Sequence, residues 1–203
     1  MRLCVPPCVL PRHTLCVSAL ALLFAAPAFA QDAAPAAAPA TPTSYEGHLK
    51  SPSGADLGTV TLRPGPDGVI LRIEAHGLTP GWHGMHFHEK GACTDDKFAS
   101  AGGHVHNVTP VIHGFLNSGH NDAGDLPNLY VAADGTATVE LFSNLVTATK
   151  TGDKPYLMDD DGSAVIIHAM PDDYTSQPIG GAGVRMACAV ITPAAPLVAS
   201  ARP

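Results

Sequence analysis

The sequence predicts an all-β protein, a sandwich or Greek-key barrel of short antiparallel strands separated by long loops. Apolar residues alternate over short runs, with Val69, Leu71 and Ile73 on one face of VILRI and Ala137, Val139 and Leu141 on one face of TATVEL. Turn residues punctuate these runs at PGPDG, AADG and DDDG, and the 203-residue chain holds 20 Gly and 19 Pro. No run shows a helical period. With 14% charged and 5% aromatic residues, the composition suits one domain of ordinary size.

Residues 1–30, MRLCVPPCVLPRHTLCVSALALLFAAPAFA, place Arg2 and Arg12 before an apolar run from Val17 to Ala25 and end on Ala28, Phe29 and Ala30. That is the layout of a secretory signal peptide cleaved after Ala30. The apolar run is too short for a membrane span, so the mature chain is expected to carry none and to reach the periplasm or the medium. Residues 31–44, QDAAPAAAPATPTS, have no periodic apolar face and read as an Ala/Pro-rich linker. The folded domain is expected over 45–193. Its strands include GTVTL, VILRI, the MHFH segment, TATVEL, the continuously apolar SAVIIHAM, which runs through His168, and MACAVI near the end; residues 194–203 form a frayed tail. Cleavage removes Cys4, Cys8 and Cys16, leaving Cys93 and Cys188 as an even pair in an oxidising compartment, where they should form one disulfide.

The stretch GMHFHEKGAC holds His86 and His88 one residue apart. Alternate side chains of a strand share a face, so this pair can chelate one ion, whereas on a helix the two rings would diverge. The longest irregular stretch, from about Gly91 to Leu126, carries His104, His106, His113, His120, Asp122 and Asp125. A loop of that length in a compact domain is usually functional or stapled, and these residue types suit an ion as the staple.

The segments HGMHFHEKG, SAGGH (100–104), AGDLPNL (123–129), IIHAMPDD (166–173) and GGAGVRMACAVI (180–191) follow one another in an order and spacing that resemble the copper/zinc superoxide dismutases, particularly the exported bacterial ones. The resemblance covers about Tyr45 to Thr192. It implies an eight-stranded Greek-key barrel with long metal-binding and electrostatic loops. It implies copper ligands at His86, His88, His104 and His168, with His104 shared by a neighbouring zinc. It also implies conversion of superoxide to oxygen and hydrogen peroxide by Cu(II)/Cu(I) cycling, in which His104 leaves copper and takes a proton upon reduction, a chemistry that would protect the cell envelope. Arg185 matches the family's anion-guiding arginine, Asp172 the carboxylate that links the two metal sites through His86 and His113, and His83 a structural histidine of the barrel wall.

The zinc ligands match less completely. His104, His113 and Asp125 fit the family pattern, but the position three residues before the closing aspartate is Asp122 where the family has histidine, and His120 stands two residues earlier. Either Asp122 or His120 could complete the site, and His106 is an extra histidine without an assigned role. A net charge of −7 with no basic patch argues against a nucleic-acid partner. The sequence leaves a homodimer or a monomer open. Two alternatives to the copper/zinc enzyme are a copper-only dismutase with a weak zinc site and a non-catalytic copper-binding module on the same barrel; the four-histidine set together with Arg185 speaks against the module.

Overall fold

Ten strands follow the chain in the computed structural model: β1 (Tyr45–Lys50), β2 (Asp56–Pro64), β3 (Val69–Ala75), β4 (Gly81–His83), β5 (Met85–His88), β6 (Leu129–Val131), β7 (Ala137–Ser143), β8 (Ala164–His168), β9 (Arg185–Val190) and β10 (Thr192–Pro193). The structure describes residues 44–150 and 152–194. The expected signal peptide, the linker up to residue 43 and the tail from 195 onward lie outside the described residues. Among the described residues the only helical turn is a 3-10 segment, Ala99–Ala101.

The strands hydrogen-bond in the order β5-β8-β9-β1-β2-β3-β7, with β10 against β1 and a separate pair β4-β6. All these pairings are antiparallel. β4 and β5 abut at Gly84, so that, taken as one interrupted strand, they join the two sheets into the eight principal strands expected from the sequence. β3 and β4 are consecutive in the chain yet far apart in the sheet order, as are β7 and β8, and these two crossovers give the Greek-key connectivity.

Strand parity decides what faces the core. In β3 the odd residues Val69, Leu71 and Ile73 are fully buried, as the alternation requires. β8 is buried on both faces, which explains its unbroken apolar run. Val165 and Ile167 join the main core with Met85, Phe87, Leu49 and Leu71. Ala164 and Ile166 turn outward into a second cluster with Phe98, Ala101 and Cys188. Burial of each large side chain in these clusters stabilises the fold by about 2 kcal/mol.

The same parity places the histidines. His86 pairs with Ile166 and His88 with Ala164, so both rings project from the outer face of the sheet, away from the main core. A long loop covers that face. It docks on β5 through Phe87 N–H to the Gly124 carbonyl (2.8 Å) and Val105 N–H to the Phe87 carbonyl (2.9 Å). Gly124 permits the approach, since a Cβ there would press on the Phe87 carbonyl oxygen. A disulfide between Cys93 and Cys188, 95 residues apart, fastens the start of the loop to β9. By the chain-entropy model a loop of that size gains about 4–5 kcal/mol from its closure.

Candidate metal centre

His86, His88, His104 and His168 each offer one nitrogen, and these atoms all lie within 4.8 Å of one another. Three segments supply them: β5 contributes His86 and His88, the covering loop His104, and the end of β8 His168. In each ring one nitrogen is tied down. His86 Nε2 donates to Asp172 Oδ2 (2.9 Å), His88 Nδ1 to the Gly102 carbonyl (3.1 Å), and His168 Nδ1 to the Gly183 carbonyl (2.9 Å). His104 Nδ1 meets Asp122 Oδ2 at 2.7 Å. The other nitrogens, His86 Nδ1 and the Nε2 atoms of His88, His104 and His168, are buried without a hydrogen-bond partner. Four converging orphaned lone pairs are costly unless a cation takes them, and their chemistry fits copper, which imidazole holds well in both oxidation states.

Electrostatics favour the same use. Burial pulls the pKa of His86 down to about 4, against the pull of Asp172. Burial, with the positive charges of His104 and Arg185, lowers His88 to about 2, and burial with His86 lowers His168 to about 3. These rings are therefore neutral at physiological pH, with lone pairs free to ligate.

A second set lies on the far side of the His104 ring. His113 Nδ1 is 2.6 Å from Asp125 Oδ1 and 3.3 Å from Asp122 Oδ2, and His104 Nδ1 is 3.6 Å from Asp125 Oδ1. His86 also falls within 4.8 Å of His104, His113 and Asp125. Its Nε2 is nevertheless occupied by Asp172 and its free Nδ1 belongs with the four-imidazole set, so the buried Asp122 carboxylate is the better fourth donor here. Two imidazoles and two carboxylates suit a tetrahedral zinc. His120 stays at the edge, its Nε2 3.7 Å from Asp125 Oδ2. His106 caps the His104 carbonyl through Nδ1 (2.8 Å) and belongs to neither set.

Hydrogen bonds link the imidazoles and carboxylates of this second set. Burial opposes charge on His113, but hydrogen bonds to Asp122, Asp125 and Asp172 overcome it and lift the pKa to about 11. His104 is raised in the same way by Asp122 and Asp125 against its burial. His113 thus carries a proton at neutral pH that a metal must displace. Zinc binding is expected to release about one proton, from His113, and to weaken steadily as pH falls from about 8 to 6, because the raised value of His113 lies above that window. Calorimetry in buffers of different ionisation enthalpy measures the release; zinc affinity independent of pH would contradict it.

Asp172 joins the two sets. Its buried carboxylate accepts from His86 Nε2 and, at 3.2 Å, from His113 Nε2, while the Tyr174 N–H caps it at 2.6 Å. Asn128 brackets its backbone, donating to the Asp172 carbonyl and accepting its N–H, both at 2.9 Å. Gly180 is required beside it: φ is +60° there, and a Cβ would collide with Asp172 Oδ1. His83, buried in the wall, sets Nδ1 2.9 Å from the His168 carbonyl and Nε2 2.7 Å from the Thr79 carbonyl, so its ring is held by the wall and faces neither metal set.

Arg185 stands at the start of β9, where a surface cavity of about 600 Å³ opens, lined also by Lys97, Gly183 and Val184. Its guanidinium donates to the carbonyls of Phe98 (2.5 Å) and Gly102 (2.6 Å). Gly102 also receives His88 Nδ1, so a single carbonyl orients both a metal-facing ring and the cation beside it. Asp95, which no motif singles out, accepts from the N–H groups of Lys97 (3.0 Å), Ala99 (2.9 Å) and Ser100 (2.8 Å) and so shapes the turn bearing those carbonyls. Its only trace is the preference of Asp for turn-capping positions.

A family model described as copper/zinc superoxide dismutase (SODC) matches residues 57–191. The chain belongs to the copper/zinc superoxide dismutase family. A superoxide dismutase [Cu-Zn] of Caulobacter vibrioides is 54% identical over 143 residues, covering 70% of this chain and 82% of that protein. A superoxide dismutase [Cu-Zn] of Aquifex aeolicus is 40% identical, covering 70% and 83%. Among solved structures, a superoxide dismutase-like protein from Bacillus subtilis superposes with a TM-score of 0.67 at 36% identity, covering 72% of this chain and 97% of its own. The Cu/Zn superoxide dismutase of Brucella abortus gives 0.58 at 29%, covering 73% and 99%. Family membership carries with it copper and zinc as cofactors, and the two side-chain clusters can receive them.

Proposed function

We propose that the chain is an exported superoxide dismutase in which His86, His88, His104 and His168 hold copper and His104, His113, Asp122 and Asp125 hold zinc. The observation that carries this is the convergence of four buried, unpartnered imidazole nitrogens beside a guanidinium at a surface cavity. Copper, when bound, supplies the one-electron chemistry by which two superoxide anions and two protons become oxygen and hydrogen peroxide, and zinc supplies fixed charge. The protein's own part is to position groups. Arg185 attracts and orients the anion at the cavity despite the acidic chain, a local steering for which this enzyme is itself a standard example. His104, presented to both ions, holds a proton at Nε2 on its way to the product, while Asp122 and Asp125 fix its Nδ1 side. Asp172 keeps His86 and His113 in register between the sites.

Export to the periplasm, after removal of residues 1–30, accords with the disulfide, which persists in oxidising compartments. No helix among the described residues is long and apolar enough to cross a membrane. The mature protein works as a homodimer or a monomer, which sedimentation separates. Metal quantification with superoxide decay on the mature chain tests the whole reading; copper-loaded protein that leaves superoxide unconsumed would overturn it. Arg185→Ala is expected to slow the copper-loaded protein by about tenfold and to flatten its dependence on ionic strength, since steering and positioning of the anion are removed. An unchanged salt dependence would refute that role.

A further inference from the structure

Among the described residues five buried imidazole nitrogens lack a partner, and the proposed copper site accounts for all but His120 Nε2. The nearest anionic atom, Asp125 Oδ2, is 3.7 Å away and already accepts from the Gly114 N–H at 2.7 Å. The ring is held in this orientation. Its edge packs on Phe115 with centroids 5.3 Å apart, and its backbone N–H reaches the Asn117 carbonyl at 3.2 Å. His120 also lines a surface cavity of about 420 Å³ whose wall includes Asp122 and Asp153. Lys154, in the same wall, sends its ammonium to the Asp67 carbonyl (2.6 Å). The cavity thus touches Asp122 on one side and, through His120, Asp125 on the other.

An orphaned buried nitrogen is costly, and a hydrogen bond cannot relieve it across 3.7 Å. A divalent cation passing between the carboxylates would. We infer that His120 is a transient ligand that takes zinc from this cavity and hands it to the site of His113, Asp122 and Asp125. This rests on the reading of Asp122 as a resident ligand. A group that ligates only along the route lowers the barrier to entry and to exit alike, so it changes both rates and leaves the equilibrium alone.

The test mixes copper-loaded, zinc-free protein with Zn²⁺ and follows uptake, then follows release to a chelator. His120→Ala removes the ring; His120→Phe keeps a ring against Phe115 without a ligand nitrogen. Both variants should take up and release zinc about tenfold more slowly, with the dissociation constant unchanged. Unchanged rates, or slowing in the alanine variant alone, would overturn the inference, the second by reducing His120 to packing. Loss of equilibrium affinity in both His120 variants would overturn it by making His120 a resident ligand. Asp122→Ala separates the two levels. If it binds zinc weakly while the His120 variants keep wild-type rates, the ligand assignment stands and the entry role falls; if it retains wild-type affinity, the assignment falls and the inference with it.

Discussion

His88→Ala is expected to abolish dismutation while leaving the barrel folded. The His88 ring makes one hydrogen bond, to the Gly102 carbonyl, and its other nitrogen is the unpartnered Nε2 of the four-imidazole set. The barrel does not depend on it, because the neighbouring β5 residues Met85 and Phe87 face the main core whereas His88 faces the outer layer. Loss of the ring frees one carbonyl that Arg185 still engages, a cost of about 1 kcal/mol. The effect on turnover should exceed the 10–100-fold typical of losing a partner outside the ligand shell, because one of the four imidazoles proposed to hold copper is gone. Copper content, superoxide decay and circular dichroism on the same sample check it. Wild-type turnover in a folded variant would remove His88 from the copper set.

Asp172→Ala should damage both sites at once. The carboxylate is buried and accepts from His86 on one oxygen and His113 on the other, so its loss leaves two imidazole N–H groups without acceptors. Burial alone would raise its pKa, yet the hydrogen bonds from His113 and His86 hold it well below the usual carboxylate range. It is therefore an anion at every pH where the protein works, and removing it strips charge that favours both cations. Affinity for copper and for zinc should each fall 10–100-fold, with about 2–4 kcal/mol lost from the metal-free fold. Chelator competition for each ion and urea unfolding measure the three quantities. If one affinity fell and the other did not, the carboxylate would serve a single site and its linking role would fail.

Much of this was legible in the sequence because period two survives wherever one face of a strand meets the core. The alternation in VILRI and TATVEL marked β3 and β7, and the unbroken run of SAVIIHAM marked a strand covered on both sides. β4 and β6 were not legible, since GWH and LYV are three residues each, too short to show a period. The His-x-His spacing located the metal face because strand geometry leaves few choices. The choice between Asp122 and His120 stayed open for the opposite reason: in an irregular loop, spacing does not fix where a side chain points. The structure brings Asp122 to 2.7 Å of His104 and leaves His120 at the rim. Asn128 and Asp95 escaped notice because their work is done through backbone groups, which carry no residue code.

The disulfide has a consequence for the redox conditions in which the protein can be active. Cys93 opens the loop whose carbonyls at Phe98 and Gly102 grip Arg185, and Cys188 lies on the same strand as that arginine. The bond therefore clamps holder and held together. With both thiols reduced, the barrel keeps its core, but the loop is anchored to β9 only by hydrogen bonds and by Phe98 in its small apolar cluster. The reduced chain would then carry a guanidinium without a fixed aim, and one two-electron oxidation of the thiol pair would set it. Thiol status thus governs capture of the substrate anion without touching any of the four converging imidazoles.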